Sequence, residues 1–244
     1  MRIVLVVPLF LLYLLALVPA IPVCALFRLR EPLVTAAYGL VRIARRILGI
    51  RLKISGLDRL DRGTAYVFMA NHLSLLDGPA VMAYVRRPCR VILKKSILRI
   101  PVLGLGMRYV GFVPVDRKGT ESGKKSITRA ARWMRERRYS FLIFPEGTRS
   151  ADGRLGPFRR GGFFLALESG APIVPVTIRG TREIMPKGRW LARRGRVEVV
   201  FHDPISTAGL TVETMPELMD KVRTAIFGGC SGKTEETGGR ARKP

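Results

Sequence analysis

"AYVFMANHLSLLDGPAVMAYV", residues 65–85, runs from an uncharged apolar stretch through a polar break into a helical pattern. Residues 65–70 combine aromatic, β-branched and small side chains, which predicts a buried strand. The spacing after the break predicts a short helix over residues 79–85. The same alternation recurs on either side. "RLKIS", "RVIL", "GFVPV", "SFLIF", "PIVPVTI" and "VEVVF" read as further strands. Helices are predicted near residues 102–109, 122–137, 163–169 and 212–227. Strands alternating with helices give an α/β class: a mixed, partly parallel sheet flanked by helices.

The 244-residue chain holds 43 Lys plus Arg against 18 Asp plus Glu, a formal net charge of +25. Such an excess points to acidic partners: membrane lipid, phosphorylated substrate, acidic protein or nucleic acid. Residues 3–27 contain no charge and are long enough for a membrane span, though Pro8, Pro19 and Pro22 would bend it. A cleaved signal peptide ending at "VPA" competes with this reading. Only Arg2 precedes the run, whereas Arg28, Arg30, Arg42, Arg45, Arg46 and Arg51 follow it. That asymmetry favours an uncleaved anchor with the body on the cytoplasmic face, in a bacterium that of the inner membrane.

Residues 33–50 form an amphipathic pattern with an apolar stripe from Leu33 to Leu48. Its Arg42, Arg45 and Arg46 would face anionic headgroups, or the helix would simply pack on the domain. The expected division is a two-helix membrane segment over 1–50, an α/β domain over 51–227 and a disordered tail over 228–244. "GGCSGKT" in the tail mimics a P-loop, but Phe227 stands where its first glycine belongs and no helix can follow. The three cysteines show no disulfide or metal spacing.

His72 is one of two histidines and stands five residues before Asp77. On a continuous helix that spacing turns the side chains about 140° apart. They can meet only if His72 lies in the turn and Asp77 near the first helical turn. The pair would then be a general base with its orienting carboxylate, at a strand's carboxyl end where α/β sites gather. Alternatively, Ser74 and Asp77 form a capping box, or the helix begins at Pro79.

"FLIFPEGTRS" repeats the arrangement. A strand ends at Pro145, and Glu146, Gly147, Thr148 and Arg149 follow. Arginine suits bidentate phosphate binding, and glycine lets the backbone approach a ligand. A capped surface turn with a solvated arginine is the plainer reading. "GFVPVDR" delivers Asp116 and Arg117 to a loop, and "GPFRRGG" adds Arg159 and Arg160.

In this order "NHLSLLD", "GFVPVDR", "FPEGTRS" and "IVPVTIRG" resemble the four motif blocks of the glycerolipid acyltransferases. The resemblance is to the bacterial 1-acylglycerol-3-phosphate (lysophosphatidate) acyltransferases in particular. It implies transfer of a fatty acyl group from an acyl thioester to the free hydroxyl of lysophosphatidate, giving phosphatidate. His72 would be the base and Asp77 its orienter. Gly111 and Arg117 match the second block, and Glu146, Gly147, Thr148 and Arg149 the third, both implying acceptor binding. Pro175 matches the fourth, implying an acyl-donor contact or the floor of the site. No bound cofactor or metal is implied; acyl-CoA or acyl carrier protein would be the co-substrate. A different lysolipid acceptor, such as a lyso-ornithine lipid, fits the same blocks.

Other classes fit less well. No Gly-x-Ser-x-Gly elbow marks a serine hydrolase. His202 reads as structural, and two histidines without metal spacing disfavour zinc. A non-enzymatic basic protein holding anionic lipid or nucleic acid is the rival, with "PKGRWLARRGR" and Trp190 as an interfacial anchor. Nucleic-acid modules are not recognisable, so no nucleic-acid partner is expected.

Overall fold

A computed structural model describes residues 22–24, 26–100, 103–115, 121–189 and 191–231. Its strands are β1 (Ile50–Ser55), β2 (Val67–Ala70), β3 (Cys89–Lys94), β4 (Val113–Val115), β5 (Ser140–Ile143), β6 (Ile173–Arg179) and β7 (Gly195–Phe201). They form one sheet in the order β1-β7-β6-β2-β5-β3-β4. Only β6 and β7 are antiparallel. The sheet is thus mixed but mostly parallel, and every run expected to be a strand is one.

The helices are α1 (Arg30–Leu48), α2 (Asp77–Met82), α3 (Leu103–Tyr109), α4 (Glu121–Arg137), α5 (Gly161–Ser169), the short α6 (Thr181–Ile184) and α7 (Met215–Ser231). Alternation along each strand divides the core. Phe68, Ala70, Leu142, Val174 and Val176 pack with Val81 and Met82 of α2 and with Tyr38 and Leu48 of α1. Val67, Met69, Phe141 and Ile173 meet α4, α5 and α7 through Ala130, Met134, Phe163, Val222 and Ile226. Truncating a fully buried ring such as Phe141 to alanine should cost about 3–5 kcal/mol.

Several expectations shift. The helix expected from residue 79 begins at Asp77, so Pro79 is its third residue. The amide hydrogen that proline lacks is among the four unpaired at any helix start, so no hydrogen bond is lost. The last helix runs through Ser231 and carries ordered chain past Gly228, where the tail was expected to begin. Residues 232–244 lie outside the described residues, as does most of the expected anchor, residues 3–27. Among the described residues no helix is long and apolar enough to cross a membrane.

α1 packs on the domain. Leu33 and Val34 are buried against Val110. Arg42 Nε donates to the Ala83 carbonyl at 3.0 Å, Arg45 Nε to Tyr84 Oη at 2.9 Å, and Arg45 Nη1 to the Ile50 carbonyl at 2.6 Å. Two of the arginines expected at headgroups therefore reach protein acceptors, although Arg42, like Arg46, remains exposed.

The amino end of the sheet is fastened by Arg90, a fully buried residue of β3. Its Nη2 is paired with the Glu31 carboxylate of α1, and its Nη1 donates to the Cys89 carbonyl at 3.1 Å. The guanidinium also lies 4.2 Å from the Tyr139 ring centroid.

Candidate active site

At the carboxyl end of β2 the side chain of Asn71 continues the ladder. Its Nδ2 donates to the Ile178 carbonyl at 2.8 Å, and its Oδ1 accepts the Ile178 amide at 2.7 Å. The loop to α2 therefore leaves the sheet from a fixed point. His72, the next residue, is held four ways. Its amide donates to Glu146 Oε1 at 2.9 Å, and its carbonyl accepts the Ser150 amide at 2.8 Å. Its ring stacks on Phe144, with centroids 4.0 Å apart and planes 17° from parallel. Its Nδ1 stands 2.9 Å from Asp77 Oδ2.

That aspartate oxygen also accepts the amides of Leu73 at 2.6 Å and Ser74 at 2.7 Å, whereas Oδ1 is buried with no partner among the described residues. An ionised carboxylate only accepts, so Nδ1 carries the ring hydrogen and Nε2 keeps its lone pair. Asp77 is fully enclosed while the His72 side chain is 17% exposed, so the pair reaches solvent only through the imidazole. Ser74 Oγ accepts the Leu76 amide at 3.2 Å and donates to the Met185 carbonyl at 2.7 Å. The expected capping box does not form, since the helix starts at Asp77 with Leu76 before it and no side-chain cap. What remains of it is the Ser74 amide, bound to the same Asp77 oxygen that holds His72.

The segment after β5 packs against this loop. Glu146 Oε2 accepts the Gly156 amide at 2.8 Å, so both carboxylate oxygens bind backbone. Burial pushes the Glu146 carboxyl above its ordinary pKa, against those two amides and the nearby His72 and Arg223. Arg223 clamps the same bend, donating to the carbonyls of Gly156 at 2.6 Å and Leu155 at 3.1 Å. Gly147 has φ +71°, a left-handed conformation that strains any side chain, and a Cβ there would also push on the Arg159 side chain, so the turn favours glycine.

Thr148 is exposed and Arg149 half-buried. Lys187 Nζ donates to the Arg149 carbonyl at 3.2 Å, joining this loop to the one after α6. A cavity of about 460 Å³ opens here, lined by Glu146, Thr148, Arg149, Asp152, Arg154 and Arg159 among others. It offers guanidinium groups to an anion, in the bend whose Glu146 and Ser150 bond the His72 backbone.

Not every residue singled out in the sequence arrives here. Asp116, Arg117 and Trp190 lie outside the described residues, although β4 ends at Val115, next to the first two. Gly111 sits at the amino end of β4, with φ +92° and a Cβ position 3.4 Å from the Trp133 ring. It turns the chain out of α3, at the end of the strand away from His72. Pro175 is buried in β6 opposite Met69. It lies between the Ile173–Ile205 and Val176–Phe201 pairings, where the opposite chain carries one extra residue, so its missing amide breaks no ladder bond. His202 bonds Thr177 Oγ1 at 2.8 Å, and burial lowers its pKa. Phe144, Asn71 and Ser150 were missed. Phe144 reads as the last residue of an apolar strand, and only its position at the strand's end hinted at more.

The Acyltransferase family profile matches residues 51–179. A 1-acyl-sn-glycerol-3-phosphate acyltransferase alpha from Mus musculus is 32% identical over 209 residues, 85% of this chain and 73% of that protein. The chloroplastic enzyme BAT2 of Brassica napus, named for the same activity, is 39% identical over 154 residues, 62% of this chain but only 44% of the relative. The 1-acyl-sn-glycerophosphate (LPA) acyltransferase PlsC from Thermotoga maritima shares the fold, with a TM-score of 0.71 at 24% identity over 92% of this chain and 99% of that one. The chain belongs to the acyltransferase family, among the 1-acyl-sn-glycerol-3-phosphate acyltransferases.

Proposed function

We propose that this chain moves a fatty acyl group from an acyl thioester to the free hydroxyl of lysophosphatidate, giving phosphatidate for phospholipid synthesis. The observation that carries the reading is the 2.9 Å His72–Asp77 pair beside the arginine-lined bend after β5. Nε2 of His72 takes the proton as the acceptor oxygen bonds to the thioester carbonyl carbon. The tetrahedral intermediate collapses with loss of the carbon–sulfur bond. The departing thiolate recovers the proton from the imidazolium, which Asp77 stabilises. No acyl-enzyme is needed. A positioned base of this kind contributes about 10²–10⁴-fold.

The acceptor phosphate is assigned to Arg149 and Arg117, with Gly147 and Thr148 shaping the bend beneath it. Holding it there supplies positioning, which can be worth as much as the base. Acyl-CoA and acyl carrier protein are both acidic donors that suit a chain of net charge +25. Residues 3–27 anchor the enzyme at the cytoplasmic face of an anionic membrane. The test supplies lysophosphatidate in vesicles with labelled acyl-CoA or acyl carrier protein. Labelled phosphatidate from either donor is expected. Transfer only to another lysolipid, such as lyso-ornithine lipid, would replace the acceptor, and no transfer to any lysolipid would remove the proposal.

A further inference from the structure

The resemblance of "FPEGTRS" to the acyltransferase motif implies that Glu146 touches the acceptor. Although Glu146 borders the cavity, both of its carboxylate oxygens are taken by backbone amides. Oε1 accepts the His72 amide at 2.9 Å and Oε2 the Gly156 amide at 2.8 Å. The residue is only 7% exposed. The peptide groups on both sides of His72 are gripped by one bend, since the His72 carbonyl accepts the Ser150 amide at 2.8 Å. The far side of that bend is in turn fixed by Arg223, through the Gly156 and Leu155 carbonyls.

We infer that Glu146 is a positioning residue: it locks the backbone of the catalytic histidine to the basic bend that receives the acceptor, and makes no substrate contact itself. The inference rests on the acceptor reading above and deepens it. A carboxylate suits the task because it presents two acceptors to two amides that converge from loops far apart in sequence. A glutamine of the same shape presents one acceptor, and its amide nitrogen meets an opposing N–H. One of the two loops is then released. Displacing a base by about 1 Å can cost on the order of 10²-fold in rate. Keeping the carboxylate charged while buried is unfavourable, so this arrangement serves catalysis and not stability.

The experiment compares wild type, Glu146→Gln and Arg149→Ala in lysophosphatidate titrations. Lysophosphatidate binding is also measured for each substitution in a His72→Ala background. For Glu146→Gln, kcat should fall about 10–100-fold, with KM and acceptor binding within about twofold. Arg149→Ala should do the reverse, weakening binding first. A Glu146→Gln protein with wild-type kcat, or with acceptor binding weakened as much as by Arg149→Ala, overturns the inference. If glutamine prevents folding, the same split is read on Glu146→Asp, whose shorter side chain cannot span both amides. Failure of wild type to make phosphatidate would instead sink the acceptor reading beneath it.

Discussion

Asp77 and Arg90 are both charged, fully buried and, among the described residues, left with one unpaired polar atom, Oδ1 in the first and Nε in the second. They stand at opposite ends of the same sheet. Arg90 is closed off by a carbonyl, the Tyr139 ring and Glu31, and it ties α1 to β3. Asp77 is closed by two amides and by an imidazole that itself reaches solvent. A buried charge is therefore a fastener or a reagent according to its partner. At the amino end the partners are a carbonyl, a ring face and a carboxylate, which hold the charge in place. At the carboxyl end the partner is a histidine, the one side chain whose ordinary pKa lies near neutral pH.

Asp77→Asn should strike hardest at this contrast. The amide oxygen can still accept from Leu73 and Ser74, so the helix start survives. The charge that holds Nδ1–H and stabilises the imidazolium is gone, and kcat should fall about 10²–10⁴-fold. Asp77→Ala should lose activity as well, and leaving the two amides unpaired should cost about 1–3 kcal/mol each. Denaturant titration beside steady-state kinetics separates the two roles. Equal stability losses for Asn and Ala would mean that Asp77 is only a fastener.

Arg90→Ala should do the opposite. It is expected to cost about 3 kcal/mol, the low end for a broken buried pair, because Glu31 can rehydrate. Turnover per folded molecule should stay within about twofold. A loss of kcat at full stability would dissolve the distinction between the two ends.

Gly111→Ala sharpens it further. Forcing a Cβ into the left-handed region should cost about 1–2 kcal/mol, with the KM for lysophosphatidate unchanged. A large rise in KM at constant melting temperature would return Gly111 to the binding site.

The smallest effect concerns Glu146 and pH. Its carboxyl pKa is raised in the folded chain, so the native state binds that proton more tightly than the unfolded state does. Its contribution to stability is then greatest at low pH, and falls as pH rises from the usual carboxylate range through the raised value. Melting curves of Glu146→Gln should lack that slope. An unchanged slope would place the responsible group elsewhere.

Much of this was legible in the sequence because it depends on neighbours in the chain. The apolar runs marked the strands: β2, β5 and β6 are buried on both faces, while β1 and β7 alternate apolar with charged residues. The five-residue spacing of His72 and Asp77 required one in a turn and one at a helix start, and that is where they stand. What the sequence hid depends on pairings across the fold. Glu146 meets the amide of His72 across 74 positions, and Arg90 meets Glu31 across 59. Nothing in "PEGTRS" announces a carboxylate taken by two backbone amides. Gly111 was read as part of the site because its motif continues to Arg117, but a strand separates the two and only its carboxyl end faces His72. The helix through Gly228 was hidden by its own glycines, which α7 tolerates because Met215, Leu218, Val222 and Ile226 anchor it to the core.

The central claim is that His72 is the base. His72→Ala, purified beside wild type and given lysophosphatidate with a labelled acyl thioester, tests it most directly. Removing the imidazole leaves the buried carboxylate of Asp77 and both loops in place. Phosphatidate formation should therefore fall by at least about 10²–10⁴-fold, with melting temperature and acceptor binding preserved. Turnover at the wild-type rate by the folded mutant would contradict the account.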